Sequence, residues 1–154
     1  MQLYHGSFEA VAPVVKVGEM AMISTNVFDG IFASDSKSIA ASHGANVYAY
    51  DVENIATDAD LGGSFEKVVT ALRGEVSRYI DDETLEALAE DICNDENTGD
   101  YLNVLNPRVM EGDADDDARV SWEMQRLRGR VAAEMGYDAV EMEDEHGTSY
   151  LIVI

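Results

Sequence analysis

The sequence predicts a single α+β domain built on mixed or antiparallel sheets, and three observations lead to this fold class. Segments typical of strands lie at both ends of the 154-residue chain, whereas helical periodicity occupies its middle. Hydrophobic residues make up 46% of the chain, which is enough for a core at this length. The two prolines, Pro13 and Pro107, mark no interdomain linker. We therefore expect one domain over residues 1–154 with a helical insert at about 53–115.

The N-terminal third is predicted to contain four short strands and one short helix. Apolar and aromatic residues dominate the strand segments, which are Gln2 to His5, Glu19 to Ser24, Gly30 to Ser34 and Asn46 to Val52. Gly6 ends the first of them. The helix begins at Asp35 or Ser36, either of which is a suitable N-cap, and runs to His43, where Gly44 follows as a terminator.

Helices and a hairpin are predicted for the rest of the chain. Apolar residues recur at three- and four-residue spacing from about Ser64 to Asn106. After a loop at Pro107 and the acidic run 113–117, the clearest helix carries one apolar stripe and ends at Gly136. The stripe consists of Val120, Met124, Leu127, Val131 and Met135. The last two strands, joined around Gly147, are Ala139 to Asp144 and Thr148 to Ile154.

The chain is strongly acidic, with 31 Asp and Glu against 10 Lys and Arg and a net charge of -21. A free-standing nucleic-acid binder is disfavoured, because phosphate neutralisation needs clustered basic residues. The charge leaves two interpretations open. It is either a solubilising coat or a surface that attracts a basic partner or mimics an anionic one.

The sequence also argues against disulfide-bonded, metal-binding, secreted and membrane-spanning proteins. Cys93 is the only cysteine, so neither an intrachain disulfide nor a thiolate zinc cluster is expected. The three histidines have no metal-ligand spacing, and we predict no metal. The N-terminus lacks a secretory signal and the apolar runs are too short to span a bilayer. We expect a soluble intracellular protein that does not act at a membrane.

Asp144 is a candidate functional acid because of its position in the last hairpin. Alternate side chains of a strand share a face, so Asp144 lies on the apolar face with Val140 and Met142. An ionised carboxylate there is costly unless a cleft or a partner receives it. The alternative, which the pattern alone favours, is that Asp144 starts the turn, where Asp is common.

Two further segments carry candidate binding residues. His5, Gly6 and Ser7 end the first strand, where a glycine lets a ligand approach the backbone. Phe32 and Ser34 end a later strand, and an aromatic ring with nearby hydroxyls suits a planar heterocycle. A structural role for His5, core packing of Phe32 and helix capping by the serines are the alternatives for each residue taken alone.

In combination these segments resemble the mono-ADP-ribosyltransferase superfamily, in the His-type class that includes diphtheria toxin and the poly-ADP-ribose polymerases. The resemblance depends on His5-Gly6-Ser7, on residues 30–33 followed by Ser36-Lys37-Ser38, and on the acid that ends a C-terminal strand. The chain has one aromatic where the polymerases have two, and Ala41 or Ser42 where they place a stacking Tyr. The resemblance implies an ADP-ribosyltransferase-like fold.

Residues 122–151, with the run Glu-Met-Glu-Asp-Glu-His-Gly at 141–147, more closely resemble the phage anti-CRISPR ADP-ribosyltransferases that inhibit type I-F systems. His5-Gly6-Ser7 and Ser42-His43-Gly44 are also similar to that family. The resemblance implies that NAD is consumed as the ADP-ribose donor. It implies that His5 contacts the adenosine ribose, Gly6 holds the nicotinamide amide and Phe32 lies beside the nicotinamide. Asp144 takes the place of the catalytic acid, and Ser7, Ser34 and Ser42 join the NAD-binding residues.

The function implied by this resemblance is modification of the large, PAM-reading subunit of the host type I-F CRISPR surveillance complex, which blocks DNA binding. The protein would then act in the cytoplasm of the infected bacterium without direct contact to nucleic acid. The insert at about 53–115 is expected to take part in target recognition. Two alternatives stay open: a non-catalytic acidic DNA mimic, and an NAD glycohydrolase or toxin with another host target.

Arg126 and Arg128 are the last residues singled out, because arginine is scarce in this chain. Either residue is able to hold a pyrophosphate or a carboxylate. Residues two apart diverge around a helix, so the pair does not readily enter one site. We expect ion pairs with the surrounding acids.

Overall fold

A computed structural model describes residues 1–18, 27–76, 79–105, 115–145 and 147–154. Within these ranges the strands are β1 (Gln2–Ser7), β2 (Ile31–Ala33), β3 (Asn46–Asp51), β4 (Ile55–Ala56), β5 (Ala139–Asp144) and β6 (Gly147–Ile152). The helices are α1 (Lys37–Ala40), α2 (Asp58–Gly62), α3 (Phe65–Glu75), α4 (Asp82–Asn94) and α5 (Asp116–Glu134).

The strands form two sheets that meet where β1 lies beside β2. β1 pairs with β3 in an antiparallel sheet, and the second sheet has the order β2-β6-β5-β4, in which β4 is parallel to β5. The sheets are joined where Tyr4 and Ser34 exchange backbone hydrogen bonds of 2.7 and 2.9 Å. The predicted α+β class with mixed and antiparallel sheets is confirmed. The junction brings the end of β1 beside β2, and this is where the candidate residues meet.

Helix α5 covers the second sheet with the predicted apolar stripe. Four of its five members are buried and Met135 is partly buried, which confirms the helix and its face. Gly129 permits the close approach to β6, since a Cβ atom there would lie 2.5 Å from a methyl group of Leu151. Gly136 ends the helix with a φ of 89°, the left-handed conformation expected of a terminator.

The middle of the chain is helical as predicted, but it also contains two elements that periodicity did not indicate. β4 has two residues and α2 has five, which is too short for a hydrophobic period to show. Because β4 pairs with β5, the insert is part of the second sheet. Among the described residues, no helix combines the length and the apolar character that crossing a membrane requires.

Several predicted boundaries differ from the structure. β1 continues past His5 to Ser7, and α1 ends at Ala40, short of the predicted His43. The helical pattern over 64–106 is divided into α3 and α4. Pro107 and the strand predicted at Glu19 to Ser24 lie outside the described residues, as do residues 113 and 114 of the acidic run that was predicted to be a loop. The rest of that run is not loop: Asp115 is the N-cap of α5, and Asp116 and Asp117 form its first turn, where acidic side chains are favourable.

Candidate functional site

A cleft of about 270 Å³ lies at the junction of the two sheets. Its walls come from the end of β1, from β2, from α1 and the residues after it, and from the β5–β6 hairpin. The lining residues are Tyr4, His5, Gly6, Phe32, Ala33, Ser34, Ile39, Ala40, His43, Asp144, Thr148 and Ser149. The cleft therefore collects residues from both ends of the sequence.

His5 is fixed in the cleft wall by a bond to the neighbouring strand. Its Nδ1 atom lies 2.7 Å from the carbonyl oxygen of Phe32. A carbonyl only accepts hydrogen bonds, so Nδ1 carries the proton in this contact. Nε2 is the remaining polar atom of the ring, and the half-buried side chain lines the cleft. His5 can therefore direct Nε2 at a ligand while Nδ1 holds the ring orientation.

Gly6 is required by packing. A Cβ atom at Gly6 would lie 1.8 Å from the carbonyl oxygen of Ala40, and one at Gly44 would lie 2.3 Å from the carbonyl carbon of Ser7. The absence of side chains at these two glycines lets α1 and the following turn lie directly on the end of β1. Close packing against Ala40 thus explains the glycine at position 6 in addition to the predicted role, in which its backbone is exposed to a ligand.

Phe32 combines a packing role with a place in the cleft wall. Its ring meets that of Phe28 edge to face, with centroids 4.7 Å apart and planes at 87°. It is half-buried and lines the cleft. The contact with Phe28 favours one orientation of the Phe32 ring in the cleft wall.

Asp144 lies where the core-facing row of β5 meets the cleft. Val140 and Met142 are buried, while Asp144, two residues further along the same face, is exposed and lines the cleft. Because Asp144 is exposed at the cleft, its carboxylate does not carry the desolvation cost that a core position would impose. Asp144 also pairs with Gly147 in the β5–β6 register, so its backbone belongs to the strand.

The three candidate serines are placed differently from one another. Ser34 is buried, lines the cleft and accepts a 3.0 Å hydrogen bond from the amide of Ser36. Ser7 lines a neighbouring cavity, and Ser42 donates a 2.6 Å hydrogen bond to the carbonyl of Ile39. The structure therefore brings together His5, Gly6, Phe32, Ser34 and Asp144, and it leaves Ser7 and Ser42 outside the cleft lining.

The sequence interpretation did not select several residues that line the cleft. His43 follows Ser42 in the segment already singled out, and it lies in the lining where Ser42 does not. Thr148 and Ser149 face the cleft from β6, opposite Glu143 and Met142 in the hairpin register. Pairing the two hairpin strands from the turn outwards would have predicted Ser149, because it lies opposite Met142, which shares a face with Asp144, and directly opposed residues share a face.

A second cavity, of about 540 Å³, adjoins the cleft and shares His5 and Phe32 with it. One wall is the segment after β1, whose end is held where the amide of Gly18 donates a 3.0 Å hydrogen bond to Asp29. Asp29 is buried, has a φ of 52°, and also accepts a 3.1 Å bond from Arg126. Asp29 therefore connects the segment that forms this wall of the second cavity with α5.

Arg126 and Arg128 form ion pairs within the protein, as predicted. Arg126 contacts Glu123, Asp29 and Glu75 at 2.8, 3.1 and 3.3 Å. Burial lowers the pKa of Arg126, but the hydrogen bonds and charges of Glu123 and Asp29 outweigh it, and the net pKa is raised. Arg128 contacts Asp58 and Asp95 in a different part of the core. The two side chains diverge, and neither lines the cleft.

A family model and a solved structure are similar to this chain over nearly its whole length. The family model described as anti-CRISPR type I-F ADP-ribosyltransferase AcrIF11 matches residues 1–154. A crystal structure of an anti-CRISPR protein is similar to this chain with 30% sequence identity and a TM-score of 0.62, covering 99% of this chain and 89% of that one. No curated protein matches the chain significantly.

Proposed function

The chain belongs to the anti-CRISPR type I-F ADP-ribosyltransferases, and we propose that it transfers ADP-ribose from NAD to a protein of the host type I-F surveillance complex. The acceptor lies on the large, PAM-reading subunit, and its modification prevents the complex from binding DNA. The reaction takes place inside the infected bacterium.

The observation that carries this proposal is the presence of Asp144, His5 and Phe32 in one cleft. Breaking the nicotinamide glycosidic bond develops positive charge on the ribose. A carboxylate close to the ribose stabilises that charge more in the transition state than in the ground state. Nicotinamide needs no proton to leave, so one acid is enough where glycoside hydrolysis commonly uses two. Asp144 supplies this acid.

The size and connection of the two cavities support NAD as the donor. The cleft of about 270 Å³ and the adjoining cavity of about 540 Å³ meet at His5 and Phe32, and together they are in the size range of small-molecule sites. A dinucleotide has two halves joined by a pyrophosphate and is able to extend through both cavities. The nicotinamide half belongs to the cavity that contains Asp144, because the scissile bond must lie near the acid.

His5, Gly6 and Phe32 orient the donor in this proposal. His5 directs Nε2 to a ribose hydroxyl, since Nδ1 is already engaged by Phe32. The ring of Phe32 provides an apolar surface for the nicotinamide, and the backbone of Gly6 binds its amide. Ser34, buried in the same wall, adds a hydroxyl beside them.

The acceptor is a side chain other than arginine. Transferases that modify arginine carry Glu or Gln two residues before the catalytic acid, and this chain has Met142 there, with only 1% of its surface exposed. The net charge of -21 supports a basic partner, because an acidic surface attracts the positive faces that DNA-binding complexes present. The same field repels NAD, so the acidity serves the encounter with the protein.

Intact mass spectrometry of the purified surveillance complex tests the proposal. The complex is incubated with the protein in the presence and absence of NAD, and DNA binding is measured on the same samples. We expect a mass increase of one ADP-ribose unit on the large subunit and a loss of DNA binding, both dependent on NAD.

Two other results would contradict the proposal. Loss of DNA binding without an adduct and without NAD, weakening steeply with salt, would identify an acidic DNA mimic. Release of nicotinamide in the absence of the complex, at the same rate as in its presence, would identify an NAD glycohydrolase.

A further inference from the structure

The outer edge of β5 changes partners along its length. Alternate residues of a strand direct their backbone groups to the same side. On the side away from β6, Ala139 donates to the carbonyl of Asn54, the residue before β4. β4 ends at Ala56, so it does not extend beside the second half of β5. An edge without a partner exposes unpaired N–H and C=O groups.

Beyond the end of β4, two side chains form hydrogen bonds with the backbone of β5. Nε of Arg128 donates a 3.1 Å hydrogen bond to the carbonyl of Glu141, and the amide of Glu143 donates a 2.7 Å bond to Oδ2 of Asp95. Residues 139, 141 and 143 form the series of alternate positions that a longer β4 would have paired. Arg128 and Asp95 therefore provide hydrogen-bond partners for backbone groups at the outer edge of β5 as far as Glu143, the residue before Asp144.

Both members of the pair are firmly held. Arg128 has 1% of its side chain exposed and also donates to the carbonyls of Ile92 and Cys93 in the last turn of α4. Asp95 is the C-cap of α4, with a φ of 53°, and its Oδ1 lies 3.9 Å from Nε of Arg128. A side chain that is fixed at the end of a helix places its carboxylate more reproducibly than one on a mobile loop.

We propose that Asp95 and Arg128 are positioning residues that hold the end of β5 and thereby the carboxylate of Asp144. This inference rests on the proposed function, in which Asp144 is the catalytic acid. In this inference the helical insert contributes to catalysis. Asp95 is the C-cap of α4, and together with Arg128 it connects that helix with β5, the strand that carries Asp144. Asp95 acts through the amide of Glu143 and does not itself line the cleft.

The expected kinetic consequence follows from geometry. Loss of the bond to the amide of Glu143 frees the residues leading to the turn, so the carboxylate of Asp144 spreads over more positions. The NAD-binding residues on β1 and β2 are not attached to this edge. A displacement of about 1 Å at a catalytic group costs up to about 100-fold in rate. We therefore expect kcat to fall while KM for NAD stays the same.

Three variants separate positioning from general stability. Asp95→Gly retains the left-handed backbone, which glycine adopts readily, and removes the carboxylate. Asp95→Asn retains an oxygen that accepts from Glu143 and also tolerates the left-handed conformation. Asp81→Ala is the matched control, because Asp81 caps the other end of the same helix with a 2.8 Å bond from the amide of Thr84.

The test measures kcat and KM from nicotinamide release with the full surveillance complex present, together with the melting temperature and the hydrogen exchange of the Glu143 amide. We expect Asp95→Gly to lower kcat by about 10- to 100-fold with KM unchanged, and to speed the exchange of that amide. Asp95→Asn should recover most of the rate. Asp81→Ala should lower the melting temperature and leave kcat at the wild-type value.

The inference is overturned if Asp95→Gly keeps the wild-type kcat, or if Asp81→Ala loses as much rate as Asp95→Gly. Failure of the proposed function gives a different result: Asp144→Asn would then release nicotinamide as fast as the wild type. Exchange of the Glu143 amide is independent of activity, so wild-type protection in Asp95→Gly would overturn the inference in that case as well.

Discussion

The imidazole of His5 bridges the two sheets, since its Nδ1 atom lies 2.7 Å from the carbonyl oxygen of Phe32. The two residues are 27 positions apart and belong to β1 and β2. Close by, Tyr4, one residue before His5, exchanges backbone hydrogen bonds with Ser34, two residues after Phe32. The ring that we propose to bind NAD is thus oriented by the strand that carries the aromatic side chain of the cleft. The hydrogen bond between His5 and Phe32 therefore connects the two sheets and also orients the ring that we propose to contact NAD.

Substitution of His5 separates these two roles. His5→Asn supplies an amide that can still donate to the Phe32 carbonyl but has no counterpart of Nε2. His5→Ala removes both groups. We expect KM for NAD to rise about tenfold in both variants, which corresponds to about 1.4 kcal/mol, with a lower melting temperature only in His5→Ala. Initial rates over a range of NAD concentrations and thermal unfolding provide the measurement. A wild-type KM in His5→Asn would exclude Nε2 as a ligand of the donor.

Gly6→Ala should destabilise the protein. The new Cβ atom would lie 1.8 Å from the Ala40 carbonyl oxygen, so α1 has to move away from β1. We expect a loss of about 1–3 kcal/mol in the free energy of unfolding, measured in urea. The matched control is Gly74→Ala within α3, where a Cβ atom meets nothing within 4 Å and should stabilise by about 0.5–1 kcal/mol. Equal effects of the two substitutions would contradict the packing role of Gly6.

Asp91 should make stability depend on pH. Burial raises its pKa, but hydrogen bonds from Thr98, Gly99 and Tyr101 outweigh burial, and the net pKa is lowered. A lowered pKa in the folded state stabilises above the unfolded value of about 3.9, and this contribution is lost as the pH falls through the folded pKa.

The measurement for Asp91 is the difference in unfolding free energy between the wild type and Asp91→Asn from pH 7 to pH 3. The difference should be largest at pH 7 and should shrink below about pH 4, once the unfolded chain begins to bind the proton. Because both proteins share the other 30 acidic residues, their titration cancels in the comparison. A difference that stays constant over this range would contradict the role of the ionised carboxylate.

Local pattern predicted much of the site. Period-two alternation placed Asp144 on the same face as Val140 and Met142, and three- and four-residue spacing placed the buried stripe of α5. These properties depend on neighbouring residues and on the geometry of one element.

The parts that sequence reasoning missed depend on contacts between distant segments. β4 is too short for any period, and its pairing with β5 joins residues more than 80 positions apart. The bond from Glu143 to Asp95 spans 48 positions, and an acid at a helix end gives no sign of its partner. Ser42 has the sequence context of a binding residue, but its hydroxyl is used by the carbonyl of Ile39, and the next side chain, His43, enters the cleft lining.

We propose that the carboxylate of Asp144 stabilises the transition state of the transfer, and a comparison of the wild type with Asp144→Asn tests this role. The substitution keeps the size of the side chain and the backbone pairing with Gly147 but removes the negative charge. The rate at which the large subunit gains one ADP-ribose unit is followed by mass spectrometry, and NAD affinity is measured by calorimetry. We expect the rate to fall by about 100- to 1,000-fold while NAD still binds. Modification by Asp144→Asn at the wild-type rate would contradict the account.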